Sequence, residues 1–154
     1  MKTRTIGLTF LMLFVGLAMC SAQNPSLGTW KLNEAKSKIP AGSSKNLTVT
    51  YAAAGDSVKG TIDGVDGQGK PTHTEWTGKF DGKDYPVTGD MAQDTRAITQ
   101  VDDHHYNLTV KKAGKVTMTG KAVIAPDGKS RTVTVSGTNA AGAKVEGTSV
   151  YDKQ

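Results

Sequence analysis

THTEWTGKF, residues 72–80, alternates side-chain character residue by residue. Thr74, Trp76, Gly78 and Phe80 fall on one side, and His73, Glu75, Thr77 and Lys79 on the other. Successive side chains of an extended strand point to opposite faces, so this pattern predicts a β-strand with one buried face and one wet face. The same reading extends outward in both directions. Leu47, Val49 and Tyr51 share a face in NLTVTY, and Tyr106, Leu108 and Val110 share one in HHYNLTV. Val116, Met118, Gly120, Ala122 and Ile124 do so in KVTMTGKAVI, as do Val133, Val135 and Gly137 in SRTVTVSG. Threonine and valine dominate these stretches, and a branched Cβ packs well on a pleated surface.

Turn formers interrupt the strands at short intervals: AGD at 54–56, DGVDGQG at 63–69, DG at 81–82, TGD at 88–90, PDG at 126–128 and NAAG at 139–142. Several are Asp-Gly pairs suited to hairpin loops. Each connection is too short for the crossover that a parallel pair needs, so the strands must run antiparallel in an up-and-down meander. Only NEAKSK, residues 33–38, reads as a helical turn. The expectation is an all-β fold of about nine to ten strands. Gly60, Gly78, Gly120 and Gly137 fall inside strands, where they permit the bending that barrel closure demands. Closure also removes exposed strand edges, which favours a barrel over a sandwich.

The chain begins with Lys2 and Arg4, an apolar run from Ile6 to Met19, and the small residues Ser21 and Ala22. This is the tripartite pattern of an export signal, so residues 1–22 are expected to be a signal peptide and residues 23–154 a single barrel domain. Cleavage there would remove two cations and no carboxylate, lowering the formal charge from +5 to +3. The lysines are scattered among aspartates with no basic run, which argues against a nucleic-acid partner. No later segment is apolar enough to cross a membrane as a helix. A periplasmic or secreted monomer is expected.

Cys20 is the single cysteine, so the mature domain would hold neither a disulfide nor a thiol nucleophile. LAMC, residues 17–20, resembles a bacterial lipobox, although Met19 stands where that motif has Gly, Ala or Ser. The alternative localisation is therefore a form anchored through lipidated Cys20.

GTWKLN, residues 28–33, resembles the Gly-x-Trp signature that opens the first strand of lipocalins. The strand count is similar to that of the wider calycin group, which includes fatty-acid-binding proteins. GTWKLNEAKSK followed by TEWTGKFDGKDYPVTGD is more closely similar to small exported bacterial lipocalin-like proteins, mostly uncharacterised. The resemblance implies that Trp30 plugs the closed end of the barrel with an arginine from a late strand over its ring. Arg131 is the candidate, because it opens a strand and shares a face with Val133 and Val135, and Arg96 is the rival. A further apparent strand after Arg131, AKVEGTSVY, departs from the standard lipocalin pattern.

The motifs that carry catalysis are missing: there is no Gly-x-Ser-x-Gly elbow, His-Glu-x-x-His helix or phosphate-cradling loop. DDHH, residues 102–105, concentrates carboxylates and imidazoles, but neighbouring His104 and His105 on a strand face opposite ways, so no metal site is expected. His73 and Glu75 share a face, the one opposite Trp76, and read as a surface pair. Neither a catalytic residue nor a cofactor is assigned. The function that remains is binding in the interior of the barrel. The inward candidates are Tyr51, Thr74, Trp76, Tyr106, Leu108, Met118 and Val133, an apolar set with a few hydroxyls suited to a small lipophilic molecule with a polar end. If Ile98 points inward then Arg96 and Gln100 do too, and Arg96 is placed to hold a carboxylate; if Ala97, Thr99 and Val101 point inward instead, Arg96 is a surface cation. The alternatives are an envelope interaction module with a solid core, or a barrel enzyme acting on a lipid-like substrate.

Overall fold

The computed structural model describes residues 24–138 and 142–154. The expected signal peptide, with Cys20, lies outside the described residues. Ten strands follow one another: β1 (Gly28–Leu32), β2 (Lys45–Ala54), β3 (Ser57–Val65), β4 (Pro71–Gly78), β5 (Tyr85–Thr88), β6 (Thr95–Gln100), β7 (His105–Lys112), β8 (Lys115–Ile124), β9 (Ser130–Thr138) and β10 (Lys144–Lys153). Among the described residues one 3-10 turn, Glu34–Lys36, lies within NEAKSK, with Asn33 capping it by accepting from the Lys36 N–H. No α-helix occurs among the described residues, so none there is long and apolar enough to cross a membrane.

Each strand pairs antiparallel with its neighbours in sequence, and β1 closes the barrel by pairing with both β2 and β10. Trp30 is the closing position, opposite Val49 on one side and Lys153 on the other. The meander sorts its connections between two ends. The first end gathers both chain ends of the described barrel and the β2–β3, β4–β5, β6–β7 and β8–β9 turns. The second gathers the β1–β2 segment with its 3-10 turn, the β3–β4, β5–β6 and β7–β8 connections, the end of β9 and the start of β10.

The expected alternation is clearest in β3, β4, β5, β8 and β9. Thr74, Trp76 and Gly78 are buried while His73 and Thr77 are exposed. Register places the buried faces side by side: Val49 opposite Ile62, Ile62 opposite Thr74, and Ile98 opposite Leu108. Trp30, Val49, Ile62, Trp76, Ile98, Tyr106, Ile124 and Tyr151 form one core inside the barrel.

Val116 departs from the expected face. It shares the parity of Met118 in the sequence, yet it is 54% exposed. A bulge separates the pairs Val110–Met118 and Lys111–Val116, so Thr117 is an extra residue in β8. Beyond it the side-chain parity inverts, and Val116 turns outward opposite Lys111.

Two in-strand glycines have a packing role. A Cβ on Gly60 would stand 2.1 Å from Nε1 of Trp76, and one on Gly78 would stand 2.3 Å from the Tyr85 ring. Each large ring lies flat over the strand where a neighbouring side chain would otherwise project.

Candidate functional site

The first end is closed by an aromatic and cationic cluster. Trp30 is wholly buried, and its Nε1 donates to the Ser26 carbonyl at 2.8 Å. Asn24 organises the segment that precedes β1: its side-chain oxygen accepts from Ser26 N at 3.0 Å, Ser26 Oγ at 2.7 Å and the Tyr106 hydroxyl at 3.0 Å. Lys153 Nζ donates to the Pro25 carbonyl at 3.0 Å and lies 5.0 Å from the Trp30 ring centre.

The Arg131 guanidinium sits among three rings, 5.1 Å from Trp30, 5.3 Å from Tyr51 and 4.7 Å from Tyr151. Arg131, not Arg96, is therefore the partner of Trp30. Beside this cluster the rings of Tyr51, Trp76, Phe80 and Tyr106 meet mostly edge to face: Tyr51 and Trp76 at 6.1 Å, Tyr51 and Phe80 at 6.0 Å, and Phe80 and Tyr106 at 5.4 Å. Such contacts favour one rigid arrangement over loose filling. Burial raises the pKa of the Tyr151 hydroxyl and of the Tyr106 hydroxyl.

The register that the sequence leaves open at β6 is decided by pairing. Arg96 stands opposite Tyr85 and Val110, and Ile98 stands opposite Leu108, so Arg96 and Ile98 both face inward. Thr99 is exposed, and Ala97 is buried on the outer side. Arg96 is 7% exposed, and burial lowers its pKa from that of a free guanidinium. Its Nη2 donates to Gln93 Oε1 at 3.1 Å, and Gln93 Nε2 donates in turn to Asp90 Oδ2 at 2.5 Å.

All the ligand candidates sit on the inward face, but they divide by burial. Thr74, Trp76, Arg96 and Tyr106 are buried, whereas Tyr51, Leu108, Met118 and Val133 are half-buried. Half-burial continues along the inward wall of β8, β9 and β10, through Gly120, Val135, Gly137, Val145 and Gly147. The inward positions of this wall are thus half-buried, whereas those of β3, β4 and β6 are mostly buried. Three buried donors on the inward face have no hydrogen-bond partner among the described residues: Trp76 Nε1, Arg96 Nε and Arg131 Nε. Sequence reasoning foresaw Arg96 only as one of two registers and missed its Gln93 partner, because the β5–β6 loop carries no motif.

No family model matches this chain, and no curated protein does.

The outward groups form separate surface contacts. His73 Nδ1 lies 2.6 Å from Asp63 Oδ1 and its Nε2 lies 3.7 Å from Glu75, whose carboxylate pairs with Lys59 at 2.8 Å. His105 lies against Asp102 at 2.8 Å, while His104 Nδ1 faces the Ile124 carbonyl at 3.2 Å, so the two imidazoles of DDHH serve different partners. A shallow groove of about 300 Å³, open to solvent, is lined by Val116, Met118, Thr119, Ser136, Gly137 and Glu146. The exposed apolar side chains are dispersed: Met91 on the β5–β6 loop, Val101 at the opposite end, and Val116 and Val123 near opposite ends of β8.

Proposed function

We propose that this chain is an exported lipocalin-like barrel that holds a small hydrophobic or amphipathic molecule non-covalently in its interior. One observation carries the reading: Leu108 on β7 and the inward wall of β8–β10 are half-buried although they face the barrel axis, and Leu108, Met118, Val133 and Val135 supply apolar side chains there. A polypeptide interior is normally packed close to crystal density, so inward aliphatic surface left accessible marks room for something else. The plugged first end assigns entry to the second end. Binding without turnover fits the outward placement of His73, His105 and their carboxylates, since efficient proton transfer is favoured in a water-shielded site. The export signal expected from residues 1–22 supports a periplasmic or extracellular setting for this activity.

The test is titration of the mature protein, residues 23–154, with the neutral fluorophore N-phenyl-1-naphthylamine, alongside native mass spectrometry of protein purified from its own cells. A saturable rise in emission with unit stoichiometry, or a retained small molecule, supports the reading. Unchanged emission together with an unadorned mass overturns it.

A further inference from the structure

Residues 23–154 contain two sulfur atoms, the thioethers of Met91 and Met118, and no thiol. The fold treats the two in opposite ways. Met118 is half-buried on the inward wall of β8, whereas Met91 is 92% exposed in the loop of residues 89–94.

The loop itself sets the direction of Met91. Its base is fixed on both sides. A Cβ on Gly89 would stand 2.1 Å from the His73 carbonyl, so the chain there lies directly against β4. Asp94 N donates to the Lys111 carbonyl at 2.8 Å, its carbonyl accepts from Val87 N at 2.9 Å, and its carboxylate accepts from Lys112 Nζ and Ala113 N, each at 2.7 Å. Between these anchors Asp90 closes the tip: Oδ1 accepts from Ala92 N at 2.7 Å and Oδ2 accepts from Gln93 Nε2 at 2.5 Å. Gln93 is buried and accepts from Arg96 at 3.1 Å. Asp90 and Gln93 thus direct their side chains to the loop and the barrel, and Met91, bracketed by the Asp90 carboxylate, is carried outward.

A thioether is the most readily oxidised group in a chain without thiols, and its susceptibility follows access. The sulfur lone pair attacks one oxygen of hydrogen peroxide. The O–O bond breaks, an S–O bond forms and the second oxygen leaves as water; sulfur loses two electrons and the peroxide gains them. At Met91 the added oxygen projects into solvent and displaces no packed neighbour. At Met118 it would put a polar group on the inward wall, opposite Val110 and Gly137. The two sulfurs belong to the same end of the barrel, since Val110 stands opposite both Met118 and Arg96, and Arg96 holds Gln93 of the loop.

We propose that Met91 is a site of reversible oxidation to the sulfoxide, an exposed sulfur at the second end that consumes peroxide before Met118 reacts. A methionine sulfoxide reductase restores the thioether, its two thiols becoming a disulfide as the oxygen leaves in water. This rests on the export reading above only for where the oxidant is met, outside the reducing cytoplasm, and it is independent of any interior ligand.

The experiment treats the mature protein with one molar equivalent of hydrogen peroxide at neutral pH and maps the masses of the two methionine peptides. Met91 is expected to carry at least about tenfold more sulfoxide than Met118, because susceptibility follows access. The oxidised protein should keep the urea midpoint of wild type, and the reductase should return its mass to that of the untreated chain. M91L keeps an apolar side chain of similar size on an exposed loop, so the same dose should now raise the sulfoxide at Met118 several-fold. Equal oxidation of the two methionines, Met118 sulfoxide unchanged in M91L, a lowered urea midpoint after oxidation at Met91, or a sulfoxide there that the reductase does not reverse would each overturn the proposal. Recovery of the chain from its own cells with residues 1–22 still attached would overturn the export reading instead, and the peptide map would still decide the chemistry at Met91.

Discussion

The Arg131 guanidinium lies over the Trp30 indole, 5.1 Å from the ring centre, inside a cage completed by Tyr51 and Tyr151. A planar, weakly hydrated cation is suited to such a place, and each cation–π contact contributes about 0.5–2 kcal/mol depending on desolvation. Lysine cannot substitute, because its ammonium is compact, strongly hydrated and unable to stack. R131K is expected to destabilise the barrel by about 1–3 kcal/mol, and R131M by less, since the latter removes the buried charge together with its contacts. Urea denaturation of the three proteins checks the order; R131M less stable than R131K would contradict it.

Asn24 ties the entry to β1 onto the closed end through Ser26 and Tyr106. N24A should cost about 1–2 kcal/mol by removing an acceptor shared among three donors. Amide hydrogen exchange over residues 24–30 should quicken in the variant, while that of β7–β9 away from Tyr106 stays as in wild type.

W30F keeps a ring at the plug but removes the donor to the Ser26 carbonyl, leaving that oxygen without its partner. The expected loss is about 1–3 kcal/mol, read as a lowered urea midpoint with an unchanged slope. An altered slope would mean that the barrel no longer closes as one cooperative unit.

Gly60 is matched to Trp76. A Cβ there would meet indole atoms at 2.1–2.9 Å, so G60A forces the ring out of place. A cost of about 1–3 kcal/mol is expected for this overpacking, with a shift in tryptophan fluorescence as Trp76 moves. A neutral G60A would show that the indole has room to retreat.

The pKa of His73 is raised, chiefly by its hydrogen bond to Asp63, with Glu75 adding to the attraction. Since the folded-state value lies above the unfolded one, the contribution to stability is complete below the pKa of a free imidazole. It is lost as pH rises through the folded value. Thermal stability should therefore fall slightly between pH 6 and pH 8 in wild type, and D63N should flatten that slope. An imidazole titration of His73 by NMR that midpoints below a free histidine's would contradict the assignment.

Most of the strand faces were legible from period-two alternation alone. Trp76, Tyr106, Leu108 and Val133 point inward as the pattern requires, because a sheet with one buried face has no alternative parity. Val116 was misread for a physical reason: one extra backbone residue at Thr117 inverts parity, and a bulge has no side-chain signature. Arg96 was illegible in TRAITQ, where Arg96, Ala97 and Ile98 are all buried in the structure and the alternation is lost.

Local chemistry along the chain determined that this is a meander of short antiparallel strands with one apolar side, since strand parity and turn residues act within a few positions of one another. Only tertiary closure decided which arginine cages Trp30, which register carries Arg96 inward, and that Gln93 meets it. Those relationships join residues brought together by the curvature and stagger of the whole barrel, and no span of local sequence encodes them.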